Sequence, residues 1–169
     1  EIIECIETLK NNGPDDLTEI SLSLAGGMVY LAGLAKTHQE GITKAKEALH
    51  SGRALEKFRE LIANQGGDVR IVDDYSLLPH TKTTHPVLAA KSGYITKINC
   101  KAMGLHCVHL GGGRQKTSDV IDFAVGFVMT KKLGDKVKKG DVLALIHCHG
   151  NQMDLALDIA KSMNKSDIT

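Results

Sequence analysis

Residues 51–68 read S-G-R-A-L-E-K-F-R-E-L-I-A-N-Q-G-G-D. Leu55, Phe58, Leu61 and Ile62 recur at three- and four-residue intervals, so they share one face of a helix, and Arg53, Lys57, Arg59 and Glu60 fill the others. Gln65-Gly66-Gly67-Asp68 ends the helix. Gly66 is placed to take the left-handed conformation that closes a helix, and Gly67 permits a sharp turn or a close backbone approach.

Upstream, the pattern remains helical. Ile2, Cys5, Ile6 and Leu9 form an apolar stripe within Glu1–Lys10, which Asn11-Asn12-Gly13-Pro14 ends. Asp16, with Glu19 three residues on, reads as a capping box for a second helix reaching about Leu34. Leu17, Ile20, Leu24, Met28, Leu31 and Ala35 would be its apolar side. Gly26 and Gly27 in its middle cost roughly 1 kcal/mol each in helix propensity, which points to close packing against another helix. Thr37 and Glu40 form a second capping-box pattern, and the helix that follows carries Ile42, Ala45 and Leu49 and ends near Ser51-Gly52. Residues 1–75 are therefore expected to be a helical segment.

Downstream the character changes. Residues 76–86, polar and bounded by Pro79 and Pro86, read as an extended linker. Residues 87–169 read as a second, α+β domain. Val87–Ala90 and Tyr94–Ile98 look like strands around a Lys91-Ser92-Gly93 turn. A short helix over Lys101–Leu110 leads into the loop Gly111-Gly112-Gly113-Arg114. Ala124–Thr130 and Val142–Ile146 read as further strands, and Asn151 can cap a last helix with Met153, Ala156, Leu157, Ala160 and Met163 on one face.

Composition narrows the classes. The 169 residues carry a net charge of +1, and no apolar run is long enough to cross a membrane. The basic cluster Lys131, Lys132, Lys136, Lys138, Lys139 is short and interrupted by Asp135, so no nucleic-acid partner is expected. Four scattered cysteines read as reduced thiols of a cytoplasmic protein. The chain opens inside a helical pattern without methionine, which suggests a preceding segment.

Several strings resemble, in order, the late part of the thymidine and pyrimidine-nucleoside phosphorylases. They are the Glu1–Leu9 helix, Gly13-Pro14, the Gly52–Asp68 segment, Gly93–Ile98, Leu110–Arg114, Ser118–Asp122, and Gly126–Ile146. Gly134-Asp135-x-Val137-x-x-Gly140-x-x-Leu143 also looks like the half-barrel of biotinyl and lipoyl carrier domains, but no lysine sits in a Met-Lys-Met or Asp-Lys-Ala setting. No covalent cofactor is therefore expected. The resemblance implies an intact enzyme that cleaves thymidine or uridine with phosphate, giving free base and a sugar 1-phosphate. It also implies a homodimer formed through a helical domain outside this chain. Residues 1–75 would then belong to the large α/β domain, and 87–169 would be the family's C-terminal α+β half-barrel.

Candidate chemistry is sparse. The family's Gly-Gly-Thr-x-Asp signature is absent from these residues, so no catalytic or substrate-binding residue is assigned here. The chain is read as structural and cleft-framing, and inactive by itself. Gly111-Gly112-Gly113-Arg114 lacks the following Lys-Ser/Thr of a phosphate cradle and reads as a structural turn with Arg114 paired. The resemblance places Glu4 as one carboxylate ligand of a potassium ion whose other ligands lie elsewhere; carboxylate oxygen suits a hard cation. His106-Cys107-x-His109 and His147-Cys148-His149 mix nitrogen and sulfur ligands, but adjacent strand residues point to opposite faces and disfavour zinc at 147–148. The alternatives are a non-catalytic carrier-like or interaction module, and a related nucleotide (AMP) phosphorylase.

Overall fold

The computed structural model describes residues 1–163 and divides into one compact unit of Glu1–Leu77 and a second that begins at Leu78. The first holds helices α1 (Ile2–Leu9), α2 (Asp15–Leu31), α3 (His38–His50) and α4 (Arg53–Asn64), then 3-10 turns at Val69–Val72 and Tyr75–Leu77. The second holds β1 (Thr83–Leu88), β2 (Gly93–Tyr94), α5 (Cys100–Cys107), β3 (Gly126–Met129), β4 (Lys136–Val137), β5 (Val142–Cys148) and α6 (Met153–Met163). The fold is α+β.

The opening stretch folds as its residues dictate. Gly52, at φ +78°, precedes α4, and Gly66, at φ +74°, closes it in the left-handed conformation. A Cβ on Gly67 would stand 2.9 Å from the Ile62 Cγ2, so the chain turns tightly under the helix. Asp68 then accepts from the Arg70 backbone N–H at 3.0 Å and caps the next turn. Arg59 holds Asp73 through two bonds of 2.7 and 2.9 Å. Lys10 donates to the Val72 carbonyl at 2.6 Å and lies over the Tyr75 ring, while the Tyr75 hydroxyl donates to Glu7. These bonds tie α1 to the segment after α4, around the fully buried Ile6 and Val72.

Helices α2 and α3 meet through glycine. A Cβ on Gly26 would lie 2.5 Å from Ile42 Cγ1, and one on Gly41 would lie 2.2 Å from the Gly26 carbonyl oxygen. Gly26 thus has the close-packing role expected of it, whereas Gly27 meets nothing nearer than His38 at 3.7 Å.

Two helical expectations are corrected. The Asp16–Glu19 capping box does not form. Helix α2 starts after Pro14, which puts Asp16 inside the first turn, where its carboxylate accepts from the Leu17 N–H and suits the helix's positive end. The helix stops at Leu31, not Leu34, and Gly33 turns left-handed at φ +73°. The expected apolar side forms but lies open: Ile20, Leu24, Met28 and Leu31 are 57–83 % exposed, while the Gly26 contact turns another face toward α3. In α1, likewise, Ile6 is buried while Ile2 and Cys5 are exposed. The Thr37 box holds in altered form. Thr37 Oγ1 accepts from the Glu40 N–H, but the Glu40 carboxylate reaches the Lys36 N–H instead of that of Thr37.

In the second unit β5 is central. It pairs antiparallel with β1 on one side and β3 on the other, in the order β1-β5-β3. The β1 register runs from Thr83↔Cys148 to Leu88↔Val142, with an irregularity at Val87/Leu88. Residues 83–86, expected in the linker, are therefore strand. Pro86 is tolerated because β1 is an edge strand and needs no ladder donor there. The expected hairpin about Lys91-Ser92-Gly93 does not form either. Strand β2 pairs with β4, with Gly93 opposite Val137 and Tyr94 opposite Lys136. The turns at Gly134 (φ +91°) and Gly140 (φ +92°) bring β4 there.

The core gathers Val87, Ile95, Leu110, Val137, Leu143, Ala144, Ile146, Cys148, Ala156 and Ile159. Each large aliphatic among them contributes about 1.5–3 kcal/mol relative to exposure. Val137 and Leu143 point inward as the spacing required. Asn151 is not the cap of α6. A 3-10 turn over Gly150–Gln152 precedes the helix, and the Gln152 side chain accepts from the His149 N–H at 2.9 Å at its start. On α6, Ala156 and Ala160 are buried and Leu157 is 37 % exposed. The side chain of Met163 lies outside the described residues.

Candidate functional site

The motifs Leu110–Arg114 and Ser118–Asp122 fold into one loop on the second unit. Helix α5, capped by Asn99 through the Ala102 N–H, widens into a π-type turn over Val108–Gly112. Gly111 is left-handed at φ +97°, a conformation that a side chain would strain. Gly112 lies so close to Cys107 that a Cβ would stand 2.7 Å from its Sγ, and Gly113 is equally close to Val108. Leu110 is fully buried and anchors the loop. The glycines are thus packing positions.

The loop is closed by side chains from both ends. The Asp122 N–H donates to the Gly111 carbonyl at 2.9 Å, and the Gln152 amide donates to the Leu110 carbonyl at 2.8 Å. Asp122 Oδ1 accepts from the Ala124 N–H, and Oδ2 lies 2.7 Å from His149 Nε2. The Ala124 N–H first, and His149 after it, hold the Asp122 carboxyl below its ordinary range. Arg114 Nε donates to the Asp119 carbonyl, and the Asp119 carboxylate accepts from the Gln115 and Lys116 N–H groups. Arg114 is therefore paired, as the turn reading required. Val120 and Phe123 stand 91 % and 80 % exposed on this loop.

The other named residues are dispersed. Glu4 is exposed on α1, and its carbonyl accepts from the Thr8 hydroxyl. Among the described residues no three His, Cys, Asp or Glu side chains stand close enough to hold a metal ion together. The His106 and His109 rings meet edge to face at 6.4 Å. On β5, His147 is half-buried and Cys148 fully buried, in keeping with alternation along a strand, and burial pushes the Cys148 thiol up. Sequence reading missed the roles of His149 and Gln152. Their partners, Asp122 and Leu110, are distant in sequence, and no local pattern marks such a pair.

Comparison with known proteins gives this arrangement its class. Residues 94–166 match the family described as Pyrimidine nucleoside phosphorylase C-terminal domain. The pyrimidine-nucleoside phosphorylases of Staphylococcus aureus strains USA300, NCTC 8325 and bovine RF122 are each 43% identical to the chain over 166 residues, covering 98% of it. The second unit is thus of the type that closes a nucleoside phosphorylase at its C-terminal end. Residues 94–166 thus belong to that C-terminal domain family, and nearly the whole chain is similar to pyrimidine-nucleoside phosphorylases. The chain spans 38% of the length of these relatives. No helix among the described residues is long and apolar enough to cross a membrane.

Proposed function

We propose that the chain is the C-terminal portion of a pyrimidine-nucleoside phosphorylase, a pentosyl transferase that cleaves thymidine or uridine with phosphate to free base and (deoxy)ribose 1-phosphate. The observation that carries this reading is the 43% identity sustained over 98% of the chain. In this reading residues 1–75 are helices of the large α/β domain. Residues 87–169 are the C-terminal half-barrel, carrier-like in its turns but carrying no covalent cofactor. The outward apolar face of α2, with Ile20, Leu24, Met28 and Leu31, supports membership of a larger domain, since contiguous exposed apolar surface of this kind ordinarily has a partner.

The chain's role is structural and cleft-framing. Catalysis of this kind works by clamping an anion beside the sugar carbon. The loop at Gly111–Arg114 has its polar groups committed to its own closure, and the family's Gly-Gly-Thr-x-Asp string does not occur in the sequence. Glu4 contributes one oxygen ligand to a potassium ion completed by residues outside this chain. The intact enzyme works in the cytoplasm as a homodimer assembled through a helical domain also outside it. The test is phosphate-dependent release of thymine from thymidine and uracil from uridine. We expect activity from the intact protein and none from the 169-residue chain alone. Activity in the isolated chain would overturn the assignment of the substrate groups to other residues, and an intact protein inert toward both nucleosides would overturn the reaction.

A further inference from the structure

The structure changes the reading of the lysine cluster. Asp135 seemed to interrupt it, but its carboxylate accepts from the Lys132 N–H at 2.8 Å, and that of Asp141 accepts from the Lys138 N–H at 2.9 Å. Both acids are turned into the backbone of their own turns. The β2–β4 pairing then adds two lysines from a distant segment. At one end the Ser92 hydroxyl accepts from the Lys139 N–H at 3.0 Å, which sets Lys91 beside Lys138 and Lys139. At the other end Ile95 exchanges backbone bonds with Gly134 and Asp135, which carries Lys97 toward Lys131 and Lys132. Seven lysines thus share one ribbon with two aspartates, a local excess of positive charge in a chain whose net charge is only +1. The strand alternation sorts the faces: Val137 is buried, while Lys136, Lys138 and Tyr94 are exposed. Tyr94, 51 % exposed, lies directly opposite Lys136, whose amine sits 5.9 Å from the ring centroid.

We propose that the β2–β4 ribbon, with Lys91, Lys97, Lys136, Lys138 and Lys139 on the same ribbon as Tyr94, is a binding strip for single-stranded nucleic acid. The lysines neutralise successive phosphates, and the face of the ring turned away from Lys136 offers a stacking surface that any base can use. An acidic peptide would use the lysines but has no need of the ring, which is why the aromatic centre favours a nucleic acid.

The test is fluorescence anisotropy of the intact protein with a labelled oligouridylate of about a dozen nucleotides. With about four lysine–phosphate contacts, raising salt from about 50 to 200 mM should weaken binding about 50-fold. Tyr94→Ala should weaken it about tenfold through lost stacking, and Lys136→Glu with Lys138→Glu by more. Lys91→Gln with Lys97→Gln, at exposed positions outside the strands, repeats the charge test without disturbing the ribbon. Saturating uridine and phosphate should leave binding unchanged. No binding at low salt would overturn the proposal. So would displacement by uridine and phosphate, which would place the oligonucleotide at the nucleoside site. Equal binding of polyglutamate with no effect of Tyr94→Ala would also overturn it, and would assign the strip to an acidic protein segment.

Discussion

The Cβ that Gly41 lacks would stand 2.2 Å from the carbonyl oxygen of Gly26, so α2 and α3 touch backbone to backbone. A methyl group at Gly41 must push the helices apart, because the atom it meets is main chain and cannot rotate away. Gly41→Ala should therefore destabilise the protein by about 1–3 kcal/mol despite the better helix propensity of alanine. Gly27, one residue from Gly26, is the control. Its nearest neighbour is the flexible end of His38 at 3.7 Å, so Gly27→Ala should be neutral or stabilise by up to about 1 kcal/mol. Thermal unfolding followed by circular dichroism reads both. Equal effects from the two substitutions would refute the backbone contact.

The Asp122–His149 pair gives a second expectation. Asp122 binds the loop at both ends, through the Gly111 carbonyl and the Ala124 N–H, and His149 is the side chain that fastens it to the start of α6. His149→Ala should remove about 1 kcal/mol of loop stability. Amide exchange across residues 111–123 should quicken while the β5 amides stay protected. The Asp122 carboxyl should also titrate closer to its ordinary range, by less than the full shift, because the Ala124 N–H remains and is the larger cause. Unchanged exchange in the loop would show that the π-type turn holds itself.

Much of this was legible in the sequence, and the failures have physical causes. The Gly66-Gly67 stop, the Gly134 and Gly140 turns, and the inward Val137 and Leu143 depend on local backbone preference and alternation, which a single sequence displays. Strand partners do not. Lys91-Ser92-Gly93 looks like a hairpin turn, yet β1 gains more by lying along the long central β5, and β2 is left to pair with β4. The outward setting of the apolar side of α2 was not legible for another reason. Apolar periodicity identifies a face that wants cover but not what covers it, and the glycine contact, with no side chain at all, decided which face meets α3. The loop motif was visible as a string, whereas its closure by His149 and Gln152 joins residues some 27 and 42 positions apart.

The Asp68–Arg70 fork predicts an acid limit at the turn after α4. The Arg70 guanidinium, followed by its backbone N–H, lowers the Asp68 pKa from 3.8 to about 2. A carboxyl depressed in the folded state stabilises it above the unfolded pKa and loses that contribution as pH falls through the folded one. The window is therefore from about 3.8 down to about 2, and neutral pH lies on its flat side. Carboxyl NMR titration should show Asp68 titrating last among the aspartates of this turn. Arg70→Gln should return it most of the way toward 3.8. A titration near 3.8 in the unsubstituted protein would mean that the exposed fork does not persist in solution.

Glu4 is the one site residue that the family reading places on this chain, and its test separates a ligand from a helix-surface carboxylate. The side chain sits in the first turn of α1, and Glu4→Gln keeps its size and its place there. If Glu4 binds potassium in the intact enzyme, losing the charge should raise the potassium concentration for half-maximal activity by about 10- to 100-fold, as removal of a charge-assisted contact of about 1.5–3 kcal/mol implies. Maximal activity at saturating potassium should be kept, because Glu4 touches neither base nor phosphate in this reading. Glu7→Gln, three residues along the same helix and bound to Tyr75, should affect stability but not the potassium requirement. An unchanged potassium dependence in Glu4→Gln would return this residue to the solvated face of α1.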